Sequence, residues 1–225
     1  MIKNLIFGTA NFSPKYGLFK NKKFKSNKNI IEILKYLKKN KIYNLDTSIE
    51  YKNVDKKIKF SKFKKWKVIT KINMRRFQNC KNEDEILKEL TLLLEKTSKN
   101  MGVKNIEVLL LHNANLMFKK NGNKFFSILK KLKYSRKIKK FGYSIYDFNT
   151  IVKLIKDFKP DIIQCPYNIF DRRLNNNRIV RFLKKENIEI HARSIFLQGL
   201  LTINYNKLKT YFKRWNKVII EWNIF

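Results

Sequence analysis

The sequence predicts an α/β fold of the (β/α)-barrel type, built as a single domain over residues 1–225. Three observations carry this. Short β-rich runs alternate with segments of helical periodicity along the whole chain, the pattern of repeated βα units. Runs such as VIT at 68–70 and VLLL at 108–111 are apolar on both faces, as strands of a parallel sheet covered by helices must be. No linker or composition break interrupts the chain, so about seven βα units share one core. A doubly wound open sheet is the alternative. It usually carries a Gly-rich phosphate turn after its first strand, and FGTANFSPKYG offers only Gly8 before a long polar loop.

The elements follow in order. A first strand is expected at 2–7, closed by Gly8-Thr9. A helix at 28–39 places Ile30, Ile31, Leu34 and Leu37 on one face and lysines on the other. Strands at 42–46 and 66–71 follow. The helix at 82–100 opens on Asn82 as N-cap with Glu85 in the capping-box position, carries Ile86, Leu90, Leu93, Leu94 and Thr97, and stops at Gly102. Strands at 106–111 and 138–144 precede a helix at 147–158, opened by Asp147 and ended by Pro160. Strands at 161–164 and 188–193 complete the set, and a last helix at 206–221 carries Leu208, Phe212, Trp215 and Ile219.

Composition argues against several classes. The net charge of +35 invites a polyanion-binding reading, but 43 of the 52 basic residues are Lys and only 9 are Arg. Recognition surfaces favour Arg for its planar fork and its stacking. Lys rising together with Asn, Ile and Phe reads as codon bias, with Lys as the generic surface residue, so no specific nucleic-acid partner is expected. Cys80 and Cys165 lie far apart without metal-ligand spacing, which predicts no metal site and no disulfide framework. The amino-terminal run lacks a cleavage site, and no apolar stretch approaches the ~20 residues of a membrane span. A cytoplasmic location is the expectation.

Against this background four polar residues stand out at or near strand ends: Asp46 and Tyr51 in NLDTSIEY, Lys71 in VITK and His112 in VLLLH. Barrel enzymes place their chemistry at the carboxyl ends of strands. An acid, a cation, a phenol and an imidazole on neighbouring strands are the parts of a proton-transfer site. Singly each is weak, since a strand-end Asp is most often a turn or capping residue and both Lys and Tyr are abundant. His112, one of two histidines, is the most informative; His191, inside the seventh strand, reads as structural.

The motifs LIFGTANFSPKYG, NLDTSIEY, VITK, VKNIEVLLLH, KIKKFGYSIYD, DIIQCPYNIFDRR and IEIHARSIFLQGLL, in this order, resemble those of the aldo-keto reductase superfamily from about residue 2 to about 205. The bacterial branch with an RSIFLQGLL-like seventh strand is the most similar. The resemblance implies a (β/α)8 barrel that reduces an aldehyde or ketone with NADPH, or with NADH as the alternative. It implies Tyr51 as general acid, Lys71 as the cation that lowers the phenol's pKa, Asp46 as the holder of Lys71, and neutral His112 as the group that orients the carbonyl. Ser144 and Gln164 match positions that bind the nicotinamide carboxamide, with Asn168 in the YN that follows. Arg193 and Ser194 stand where many members stack a ring on the nicotinamide, and Gly8 and Thr9 would lie under the cofactor. The chain departs from the pattern at Ile145, often Asn in the family, and at Lys52 and Val54-Asp55 after the tyrosine.

After the seventh strand and one helix, the remaining residues leave no room for an eighth strand and helix, so the barrel is expected to be incomplete. In the family that segment helps hold the adenosine 2′-phosphate, and open barrel edges predict self-association. Three readings follow: a working reductase acting on a small carbonyl compound, sugar-like by analogy with the branch; a truncated, inactive relative serving as gene remnant or interaction module; and a polyanion-binding protein on a barrel scaffold.

Overall fold

The computed structural model describes residues 5–13, 16, 26–59, 61–202 and 215–224. Seven parallel strands form one sheet in sequential order: β1 (Ile6–Gly8), β2 (Asn44–Asp46), β3 (Lys67–Ile72), β4 (Ile106–Leu111), β5 (Ile138–Ser144), β6 (Ile162–Pro166) and β7 (Glu189–Arg193). Helices α1 (Asn27–Lys39), α2 (Val54–Lys59), α3 (Glu83–Met101), α4 (Gly122–Tyr134), α5 (Ile151–Asp157) and α6 (Asn177–Lys185) fill the crossovers, and α7 (Asn216–Ile224) follows β7. Sequential order excludes the doubly wound alternative, whose strand order reverses at a switch point. The sheet ends at β1 and β7, and no eighth strand lies among the described residues. The architecture is therefore an incomplete (β/α)8 barrel, a curled seven-stranded sheet with helices outside.

Alternation along each strand divides the apolar residues into two layers. Outward positions such as Leu45, Val68, Ile72, Leu109, Leu111, Phe141 and Ile163 join the helix faces of Ile30, Leu34, Leu90 and Leu129 in the main core. Inward positions Ile69, Val108, Leu110 and Ile162 form a second, smaller cluster, with Ile6 against it. Cys165 belongs to the outer core as a free, buried thiol. No described helix is long and apolar enough to cross a membrane.

Local signals account for most boundaries. The Asn82 side chain accepts from the Glu85 amide, but the Glu85 carboxylate reaches back to the Lys81 amide rather than to Asn82, a displaced capping box. Gly102 ends α3 at φ 71°, a left-handed conformation that costs glycine little. The helix expected from Asp147 begins later, at Ile151. Asp147 instead accepts from the Asn149 amide two residues on, which closes a turn in place of capping the helix. Residues 2–4 of the expected first strand, and Leu208 and Phe212 of the expected last helix, lie outside the described residues.

One glycine is required by close approach. A Cβ on Gly142 of β5 would stand 2.1 Å from the Ile162 carbonyl oxygen of β6. That obstacle is backbone and cannot rotate away. Gly142→Ala is expected to destabilise the fold by about 1–3 kcal/mol, the usual cost of overpacking, read as a lower urea midpoint. An unchanged midpoint would show that β5 and β6 separate freely here.

Candidate active site

The inward parity that builds the small inner cluster also sets the site. Gly8, Asp46, Lys71, Ser144, Gln164 and Arg193 all occupy inward positions near the carboxyl ends of their strands, and His112 follows Leu110 by two residues. The register pairs Gly8 with Asp46, Asp46 with Ile69, Lys71 with Leu110, Ser144 with Gln164 and Pro166 with Arg193. The candidate residues thus climb stepwise around the curled sheet, while the apolar inner cluster lies one layer below.

Lys71 is the constrained member. Its side chain is 5% exposed, and its ammonium forms an ion pair with the Asp46 carboxylate, itself 18% exposed. It also donates to the Thr47 carbonyl oxygen at 3.1 Å. Burial pulls the Lys71 pKa below the ordinary lysine range, and the adjacent Asp46 charge opposes that shift. Thr9, completely buried, donates through both its amide (2.8 Å) and its hydroxyl (3.0 Å) to the Asp46 backbone oxygen. It thereby fixes the β2 end from beneath. Ser48 donates to the Lys71 carbonyl oxygen at 3.3 Å, tying the following loop to β3.

Tyr51 stands in that loop with its ring centroid 6.1 Å from that of Tyr16. Its hydroxyl is held well above the ordinary phenol range, first by burial and then by the Asp46 charge, Tyr16 and Tyr146, with Arg193 acting in the other direction. This corrects the expectation that Lys71 lowers the Tyr51 pKa. Burial is the larger cause, and the Asp46 carboxylate adds to it by opposing a second negative charge nearby. His112, its amide bonded to the Ile72 carbonyl oxygen at 2.9 Å, is held below the ordinary histidine range of 6.5. Burial is the main cause, followed by the Lys71 and Arg193 cations, against Glu50 and Asp46. This direction favours the neutral imidazole.

Arg193 on β7 and Asp46 on β2 both act on Tyr51 and on His112. In a flat sheet five strand spacings would separate them by ~24 Å, beyond the ~10 Å over which charge is felt in ordinary salt. The curl of the sheet brings them to one site.

On the β5–β7 side, Ser144 Oγ and Gln164 Oε1 are buried side by side in register without a hydrogen-bond partner among the described residues. Such adjacent acceptors fit a planar group bearing N–H donors, such as a carboxamide. Ile145, where an amide was anticipated from the resemblance, packs in the outer core. Asn168 donates to the Ser194 carbonyl oxygen at 3.2 Å and accepts from the Phe170 and Asp171 amides, so its side chain organises a loop. Arg193 stacks on Tyr146 at 4.0 Å. A cavity of about 530 Å³, lined by Tyr146, Asn168, Asp171, Arg173, Arg193 and Ser194 among others, borders this side of the cluster. Apart from its chain neighbours, no described residue has an atom within 4 Å of where a Gly8 Cβ would stand. Among the described residues no group of three or more His, Cys, Asp or Glu gathers as a metal site.

Tyr16 and Tyr146 were not singled out from the sequence. In a chain with ten tyrosines Tyr16 gives no signal, whereas Tyr146 shares the inward parity of Ser144 and was legible on that ground.

The model of the aldo/keto reductase family matches residues 4–222. No match is found among curated proteins. Among solved structures the chain is similar to the holo form of an aldo-keto reductase from Bacillus halodurans, with 18% identity and a TM-score of 0.68, covering 88% of this chain and 63% of that one. A thermostable aldo-keto reductase solved with the inhibitor epalrestat gives 19% identity and a TM-score of 0.66, covering 93% and 72%. The glycerol dehydrogenase of Gluconobacter oxydans gives 19% identity and a TM-score of 0.63, covering 91% and 62%. The chain thus spans less than two thirds of the length of the first and third of these.

Two expectations follow from the geometry. Lys71→Met leaves the Asp46 carboxylate unpaired and is expected to cost about 3 kcal/mol in urea unfolding, as broken buried pairs do. The double variant Asp46→Leu/Lys71→Met should recover most of it; equal losses in the single and double variants would mean that the pair contributes only packing. For His112, the folded pKa lies below the unfolded value. Between the two, the unfolded chain binds a proton that the folded chain does not, so stability falls as pH drops through that window. An NMR titration of the His112 ring, assigned with His191→Gln, should show a midpoint below 6.5. A midpoint above it would contradict the burial and cation effects together.

Proposed function

The chain belongs to the aldo/keto reductase family, and on that premise we propose that it reduces an aldehyde or ketone to the alcohol with a nicotinamide dinucleotide, NADPH first and NADH as the alternative. The observation that supports this most is the buried Lys71–Asp46 pair in the same electrostatic site as Tyr51 and His112. Bound nicotinamide supplies the hydride, which leaves the chain to place the carbonyl, polarise it and deliver a proton.

Tyr51, held above the phenol range, keeps its proton at neutral pH, the form a general acid requires. The proton passes to the carbonyl oxygen as negative charge builds there. Asp46 and Thr47 take two of the three N–H donors of Lys71. The third serves the Tyr51 oxygen as it becomes phenolate, so the cation acts when charge develops rather than beforehand. Neutral His112 donates an N–H to the substrate oxygen and orients it without competing as the acid. Ser144 and Gln164 would hold the carboxamide, Arg193 and Ser194 would flank the ring, Gly8 would leave room beneath it, and Thr9 would support Asp46. The substrate is a small polar carbonyl compound, sugar-like on the analogy of the resembling branch.

Tyr51→Phe removes the acid and keeps the ring. Carbonyl reduction should fall by about a hundredfold to ten-thousandfold, the range of general acid catalysis, while NADPH fluorescence reports cofactor binding close to wild type. Retained activity would remove Tyr51 from the acid role. Wild-type chain that binds neither NADPH nor NADH at millimolar concentration would overturn the function itself.

A further inference from the structure

The guanidinium of Arg193 is planar and has two faces. One is covered by the Tyr146 ring at 4.0 Å. The edge is fixed as well: Arg193 donates to the Ile145 carbonyl oxygen at 3.3 Å and to Ser194 Oγ at 3.4 Å. Tyr146 is held in turn, because Arg173 donates to its carbonyl oxygen at 2.7 Å while forking onto Asp171 at 2.9 and 2.7 Å. The ends of β5, β6 and β7 are thereby laced together by two arginines. In a chain that uses Lys as its default cation, both of these positions carry Arg, the residue whose flat fork can stack and bond at once.

We infer that Tyr146 is a positioning residue for the cofactor: it backs one face of Arg193 so that the opposite face is presented flat to the nicotinamide ring held at Ser144 and Gln164. This rests on the carbonyl-reductase reading of the site. A free arginine side chain loses much rotamer freedom when it stacks on a ligand, and a side chain already stacked has lost it beforehand. Tyr146 is 56% exposed, so its ring contributes little to the core and can be altered without damage to the fold.

The test compares wild type, Tyr146→Ala and Tyr146→Phe, each checked for unchanged thermal unfolding. NADPH affinity is measured by fluorescence, and adenosine 2′,5′-bisphosphate, which lacks the nicotinamide, by competition. Tyr146→Ala should weaken NADPH about fivefold, as loss of one cation–π contact does. Tyr146→Phe should restore it, and the bisphosphate should bind all three proteins alike. Equal NADPH affinity in wild type and Tyr146→Ala overturns the inference and leaves the reductase reading standing. Tighter NADPH binding by Tyr146→Ala also overturns it, since the ring would then compete with nicotinamide for the guanidinium. Wild-type chain without cofactor affinity overturns the reading and the inference together.

Discussion

Lys71 can be both charged and buried only because Asp46 ends the adjacent strand on the same face of the sheet. An ammonium removed from water without a partner would neutralise instead, and its burial does draw its pKa down. The pairing requires that β2 and β3 be parallel neighbours with Asp46 opposite Ile69, which sets Lys71 two residues further along on the same face. Thr9 then locks the β2 end through two bonds to one carbonyl oxygen. The first three strands are thus positioned by the demands of a single buried cation as much as by their apolar packing.

The same pair governs the chemistry around it. Tyr51 is held up by burial first and by the Asp46 charge second. The phenol therefore rests in its protonated form. A site tuned for a permanently ionised tyrosine would be poorly matched to protonating a carbonyl. His112 is tuned the opposite way, by burial and by Lys71 and Arg193, toward neutrality. Their surroundings thus hold the phenol above and the imidazole below their ordinary ranges.

How much of this was legible follows from the kind of signal each part leaves. The strands were readable because doubly apolar runs have few other uses, and their observed bounds fall within about two residues of the expected ones wherever both ends are described. The Asp147 boundary misled because an Asp that caps a helix and an Asp that closes a two-residue turn use the same short side chain on nearby amides. Asp46, Lys71 and His112 were readable from strand-end position together with motif order. Their electrostatic balance was not, because it depends on the partner each charge has already found. Tyr146 was missed although its alternation with Ser144 marks it as inward; the sequence shows the parity but not the arginine that comes to it from β7.

The lysine excess and the site obey different rules. Surface lysines such as Lys131, Lys137 and Lys159 pair with Glu83, Glu95 and Glu186 while remaining about half exposed, where an ion pair contributes little. With 17 acidic residues against 52 basic ones, most surface cations face water and one another. Surface pairing therefore singles out none of these lysines, whereas Lys71 differs from them by its burial and by its largely buried partner Asp46. Arginine behaves differently. Two of the nine, Arg173 and Arg193, lace the loops beside the candidate site through fork and stacking contacts that an ammonium cannot reproduce. In a chain whose composition defaults to lysine, these two positions use arginine where geometry is required as well as charge.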